Sequence, residues 1–189
     1  MIRVGILGDI GSGKSYIANQ FGHPVFNADH EVSKLYKKNK KIFFKLKKKL
    51  PKYINTYPIN KKQITKAILS NKSNLKKIVN VVHKEVRKKL ELFIKKNKNK
   101  KIVILDIPLL LENKINIKGD ILIFVDSKKR EIEKRLVRRK DFNRKLFYKF
   151  KKIQFNSNYK KRKSNFIIKN NFIKKNVNRD IRKILKEIL

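Results

Sequence analysis

Gly8-Asp9-Ile10-Gly11-Ser12-Gly13-Lys14-Ser15 fits the pattern G-x-x-x-x-G-K-[ST] at every fixed position. The stretch follows an apolar run (Ile2, Val4, Ile6, Leu7) and precedes a helical pattern, which is the strand–loop–helix setting that a phosphate loop requires. A phosphate cradle needs backbone N–H groups aimed inward, and bulky side chains would block the approach. The chain holds only 6 glycines, and Gly5, Gly8, Gly11, Gly13 and Gly22 crowd its start. In this reading Lys14 reaches the β- and γ-phosphates and the Ser15 hydroxyl binds Mg²⁺. Gly8, Gly11, Ser12, Gly13 and Tyr16 complete the nucleotide-binding stretch.

At 189 residues the chain is expected to form one domain with a sizeable core, with room for a small inserted subdomain. It has no cysteine, which excludes disulfides and thiolate metal sites and fits a reducing compartment such as the cytoplasm. The apolar start runs straight into the phosphate loop and reads as a strand, not a signal peptide. No apolar run is long enough to span a bilayer. The charge is extreme, with 53 Lys+Arg against 14 Asp+Glu and a net +39. That balance invites a polyanion partner. The lysines are diffuse, however, and Asn and Ile are abundant too, so a base-composition bias is favoured over a dedicated nucleic-acid surface. Any DNA binding is expected to be unspecific.

Ile2–Leu7 reads as a buried strand and Ser15–Phe21 as the helix after the loop. A second short strand ends near Asn27. The stretch Asp29–Lys49 looks helical, with Pro51 beyond it, and 52–58 reads as loop. Asn60 with Gln63 resembles a capping box for a helix through Leu69. Leu75, Ile78, Val79, Val82, Val86, Leu90 and Phe93 fall at helical spacing. Ile102–Leu105 and Ile121–Val125 are apolar runs ending in Asp106 and Asp126, and read as parallel strands buried on both faces. Lys128–Lys140 and Lys145–Phe155 look like basic helices, Phe166–Ile168 like a last strand, and Val177–Leu189 like a closing helix. Strands alternating with helices imply an α/β fold with a parallel sheet.

Six residues could carry chemistry beyond the loop. Asp106, at a strand end, stands where a second acidic residue helps hold Mg²⁺ in a phosphate-loop fold. Asp29 follows the second strand, and ligands of open α/β sheets bind beyond strand carboxyl ends. It could accept a proton from an attacking hydroxyl, or it could be the N-cap of the next helix. Arg135, Arg138 and Arg139 fall on one basic helix, where they could steady a moving phosphoryl group or form a solvated face. His83 sits among valines of the long helix, where packing or capping roles compete with ligand binding.

Together these residues resemble the dephospho-coenzyme A kinase family. The opening G-I-L-G-D-I-G-S-G-K-S, then Asn27-Ala28-Asp29, Val82-His83 with Val86, and Asp106-Ile107-Pro108-Leu109-Leu110-Leu111-Glu112 look like its segments in order. Lys134-Arg135 with Arg139, then Gln154, Lys160 and Ile167-Ile168-Lys169-Asn170, look like its lid and C-terminal pattern. The resemblance implies a phosphate-loop kinase core (1–28, 100–127 and 164–189), a helical acceptor-binding subdomain (about 29–95) and a basic helical lid (about 128–160). It implies transfer of the ATP γ-phosphoryl to the 3′-hydroxyl of dephospho-coenzyme A, with Mg²⁺. A monomer is expected. Asp29 becomes the base or orienter, Arg139 a lid residue on the phosphates, and Asn170 a contact near the adenine. Asp29, His83, Pro108, Leu109 and Glu112 become acceptor-side residues. Asn27 and Ser33 stand where the family has Asp and Arg, Lys84 where it has Pro, and Asp9 and Tyr16 where Gly and Thr are common. Another small-molecule phosphate-loop kinase, or a nucleic-acid-binding NTPase, is the alternative.

Overall fold

The computed structural model describes residues 1–139 and 142–189. The elements run β1 (Ile2–Gly8), α1 (Lys14–Gln20), β2 (Val25–Asn27), α2 (Ala28–Lys38), α3 (Lys40–Lys49), α4 (Lys61–Ser70), α5 (Lys72–Lys96), β3 (Ile102–Asp106) and β4 (Ile121–Asp126). They continue with α6 (Lys129–Val137), α7 (Arg144–Ile153), α8 (Ser157–Lys163), β5 (Phe166–Lys169) and α9 (Lys174–Ile188). The chain divides into two compact units, 28–96 and the remainder.

The larger unit is built on a sheet of five strands in the order β2-β3-β1-β4-β5, with every pairing parallel. The inner strands are apolar on both faces because both faces are covered, and β3 is buried throughout. Val4 and Ile6 of β1, Ile102 and Ile104 of β3, and Ile123 and Val125 of β4 pack with Ile17 of α1, Phe21 at its C-cap, and Val177, Ile181 and Ile184 of α9. Register then fixes the site. Gly8 pairs with Val125, and Asn27 pairs with Asp106, so these groups come to the carboxyl edge of the sheet together. The strand order reverses around β1, and that edge is where such sheets bind ligands.

The unit 28–96 is all helical. Leu35 of α2, Ile42, Phe43 and Leu46 of α3, Ile64, Ala67 and Ile68 of α4, and Ile78, Val81, Val82 and Leu90 of α5 are among its buried side chains. Asn60 and Gln63 form the expected capping box: Gln63 N donates to Asn60 Oδ1 and Asn60 N to Gln63 Oε1, both at 2.9 Å.

Three expectations need correction. The stretch 29–49 is two helices, because Asn39 leaves helical dihedrals and its side chain caps α3 by accepting Ile42 N at 3.0 Å. Asn competes for the backbone in this way, and a hydrophobic pattern that continues across the break hides it. The basic helix expected over 128–140 ends at Val137, with Arg138 as its C-cap, so Arg139 is not on it; Lys140 lies outside the described residues. Finally, α8 was not anticipated. Its start is signalled only by Asn156, which accepts Tyr159 N at 3.1 Å.

Candidate active site

β1 delivers the phosphate loop and α1 takes the chain away from it. Ser12 N donates to Asp9 O at 3.1 Å, and Ile17 N to Gly13 O at 3.0 Å, which winds the loop into the helix. Gly13 has φ +93°, and a Cβ there would lie 2.6 Å from Asn170 Nδ2. Gly11 has φ +89°, and its missing Cβ leaves room for Ile132 and Leu136 of α6. Both glycines therefore serve positive φ and close approach at once. Behind the loop, the carbonyl of Ser12 accepts Asn170 Nδ2 at 2.8 Å and Ser127 Oγ at 2.9 Å. Asn170 Oδ1 accepts Phe172 N at 2.9 Å. The Asn170 amide is thus engaged in bracing the loop, and it is buried. Beside it, the Arg135 guanidinium stacks over the Phe172 ring at 4.2 Å. Tyr16 is exposed on α1.

Lys14 Nζ donates to Gly8 O at 3.1 Å and Asp9 O at 2.8 Å, so the ammonium is held on carbonyls at the start of the loop. Ser15 is exposed and its hydroxyl bonds the Asp106 carboxylate. Asp106 is 3% exposed and also accepts Asn27 Nδ2 at 2.6 Å. Burial raises its pKa, against the lowering effects of the Ser15 bond, the nearby Lys14 charge and the Asn27 amide. Burial thus favours the neutral carboxyl, while the Ser15, Lys14 and Asn27 groups around it favour the carboxylate. An Asn at position 27 donates to Asp106, whereas the Asp usual in the resembling family would set two carboxylates side by side.

The segment after β3 turns tightly under its own backbone bonds, with Leu110 fully buried and Leu109 half-buried. Pro108 O accepts Gln154 Nε2 at 3.3 Å, and Glu112 Oε1 accepts Phe155 N at 2.8 Å. Glu112 therefore fixes the turn between α7 and α8. Two α8 side chains then reach the phosphate loop. Ser157 Oγ donates to Asp9 at 2.7 and 2.9 Å, and Lys160 Nζ lies 3.4 Å from both Asp9 Oδ1 and Gly8 O. Arg139, beyond α6, is exposed.

In the helical unit, Asp29 is exposed in the first turn of α2. It is not the N-cap, because the helix already begins at Ala28; its position favours the helix dipole. His83 is half-buried on α5, and burial and then the Arg87 charge lower its pKa. Lys34, the cation nearest Ser33 in sequence, pairs with Glu31 at 2.7 Å.

The structure brings Lys14, Ser15 and Asp106 together, and sets Asn170 behind the loop on Ser12 O. Sequence reasoning assigned no role to Ser127, Ser157 or Lys160. The fold gathers these from distant segments, and no local spacing signals it. Lys160 stood only as part of a pattern.

A model of dephospho-CoA kinase matches residues 2–175. A dephospho-CoA kinase of Wolbachia pipientis is 32% identical over 170 residues, 87% of each chain. Among solved structures, TT1252 from Thermus thermophilus superposes with a TM-score of 0.78 at 24% identity, covering 100% of this chain and 98% of that one. A dephospho-CoA kinase from Campylobacter jejuni superposes with a TM-score of 0.65 at 23% identity, over 98% and 96% of the two chains.

Proposed function

The chain belongs to the dephospho-CoA kinase family, and from that premise we propose how its own residues carry the reaction. The enzyme is a kinase that moves the γ-phosphoryl of ATP to dephospho-CoA, the last step of coenzyme A biosynthesis. The bond from O3′ of the acceptor ribose to the γ-phosphorus forms as the bond from that phosphorus to the β-phosphate oxygen breaks. The hydroxyl proton passes to the Asp29 carboxylate. Loop N–H groups from Gly8 to Ser15 cradle the phosphates, and Lys14 leaves the loop carbonyls to meet the β- and γ-phosphates.

Ser15 and Asp106 suit Mg²⁺. They are hard oxygen donors, and among the described residues no cluster of three or more His, Cys, Asp or Glu exists to cage an ion. Magnesium usually takes one or two protein oxygens, with phosphates and waters completing the shell. When bound, Mg²⁺ would offset charge on the phosphate oxygens. Arg139 is well placed in sequence to cover the phosphates as a lid residue, and Phe172 with Arg135 offers a flat, cationic neighbour for the adenine near Asn170. We assign residues 28–96 as the acceptor unit, with Asp29 and His83, and count Pro108, Leu109 and Glu112 as further acceptor-side residues.

The observation that carries this reading is the Lys14–Ser15–Asp106 arrangement at the strand ends, followed directly by the P-L-L-x-E segment. No helix among the described residues is long and apolar enough to cross a membrane. We take the enzyme as a cytoplasmic monomer. The test is transfer of label from γ-labelled Mg-ATP to a panel of dephospho-CoA, nucleosides, nucleoside monophosphates and DNA. Labelling of dephospho-CoA alone is expected. Labelling of a nucleoside, or hydrolysis driven by DNA, by folded protein that ignores dephospho-CoA would overturn the assignment.

A further inference from the structure

A second lysine stands at the phosphate loop. Lys160 is 2% exposed, yet it lies in the run Lys160-Lys161-Arg162-Lys163, whose other members are not buried. Burying an ammonium is costly unless it has partners. Its partners are all on the loop: Asp9 Oδ1 and Gly8 O, each at 3.4 Å. Asp9 is held in place by two contacts from Ser157 Oγ, one helical turn earlier on α8. The helix itself is fixed to the end of β4, where Lys161 Nζ meets Asp126 Oδ2 at 2.8 Å.

Lys14 donates to the same Gly8 carbonyl, at 3.1 Å. Two ammonium groups thus converge on one oxygen, and like charges at that range repel. They are not equally free to respond. Lys160 is enclosed and rooted in an anchored helix, whereas Lys14 is only half-buried. If Lys14 alone served Gly8 O, its departure would strip a loop carbonyl of that donor, which is costly where water is excluded. With Lys160 present, the carbonyl keeps a donor.

We propose that Lys160 is a positioning residue of the nucleotide site: it holds Gly8 O and Asp9 so that Lys14 can leave them for the nucleotide phosphates. This rests on the loop being the ATP site. It also accounts for Asp9 in a position where glycine would leave Lys160 without a counter-charge.

The test uses the full chain. Mg-ATP binding is measured by calorimetry without acceptor, alongside KM for each substrate and the melting temperature. Lys160→Met keeps length and removes the ammonium. It should weaken Mg-ATP binding about tenfold, the worth of one charge-assisted hydrogen bond, and leave the dephospho-CoA KM unchanged. Lys160→Arg should restore affinity to within about threefold, since it returns a cationic donor. A folded Lys160→Met that binds Mg-ATP like the wild type, whatever its melting temperature, overturns the proposal. If that variant does not fold, Asp9→Asn decides, because Asp9 is part-exposed and the change is small. It should weaken Mg-ATP about two- to threefold by loosening Lys160, and unchanged affinity overturns the proposal. Binding is read without acceptor, so wild-type protein that binds ATP but never phosphorylates dephospho-CoA would sink the acceptor assignment and leave this result standing.

Discussion

The sheet unit and the helical unit 28–96 organise their polar residues in opposite ways. In the sheet unit, backbone register puts Gly8, Asn27 and Asp106 at one edge, and buried polar side chains such as Ser12, Asp106, Lys160 and Asn170 gather there. In the helical unit the interior is apolar, and Asn74 is its buried polar side chain, tied to Ala67 O at 2.9 Å. Its candidate residues Asp29 and His83 are exposed or half-buried. A preorganised, water-poor cluster suits charge stabilisation on a phosphoryl group. An apolar helical body with polar groups at its surface suits holding a partner molecule. In the function proposed above, the two units divide the reaction, with the phosphates assigned to the sheet unit and the acceptor to the helices.

The change with the largest expected effect tests whether the helical unit also contributes to the chemistry. Asp29→Asn should lower kcat by about 10²–10⁴ if the carboxylate takes the hydroxyl proton. ATP affinity should hold, and the melting temperature should change little, because Asn gives up only a dipole interaction of about 0.3–1 kcal/mol. An unchanged kcat would confine the chemistry to the sheet unit. Lys14→Ala comes next. Removing a cation aimed at the transferring group should cost about 10²–10³ in kcat, without loss of fold, since Lys14 is half-buried. Near-normal turnover would mean that the loop is not the catalytic ATP site.

Smaller effects probe the helical unit as a folded body. Asn60→Ala removes half of the capping box and should cost about 1 kcal/mol of stability with little change in kcat; denaturant unfolding measures it. The smallest is a pH effect. His83 has its pKa lowered below the ordinary 6.5, so the unfolded chain binds the proton more readily than the folded one. The His83 contribution to stability is thus present above about pH 6.5 and is lost as pH falls through the folded value. His83→Gln should lose less melting temperature than the wild type between about pH 7 and pH 5. An identical acid-side loss would mean that His83 is not the group responsible.

How much of this was legible in the sequence follows the same divide. Glycines, strand ends and the apolar runs of β1, β3 and β4 mark the phosphate site, because backbone geometry needs those residue types at fixed places. The capping box at Asn60 was legible because it is local. The break at Asn39 was not, since the apolar spacing continues across it on both sides. The end of α6 before Arg138 carries no glycine or proline to announce it. Lys160 was hidden for a different reason: in a chain with 53 Lys+Arg, one buried lysine cannot be told from its solvated neighbours until α8 is seen against the loop. Glu112 and Asn170 were legible as members of a pattern, but their hydrogen bonds to Phe155 N and Ser12 O depend on tertiary placement.

The division of labour ends in one bond, and the position of that bond is the most direct test. Wild-type protein is incubated with Mg-ATP and dephospho-CoA, and the product is analysed by mass spectrometry and phosphorus NMR. The account predicts one added phosphoryl, on the ribose 3′-oxygen, with one ADP formed for each. Transfer to a different hydroxyl, or ATP consumed by folded protein with dephospho-CoA left unmodified, would contradict it.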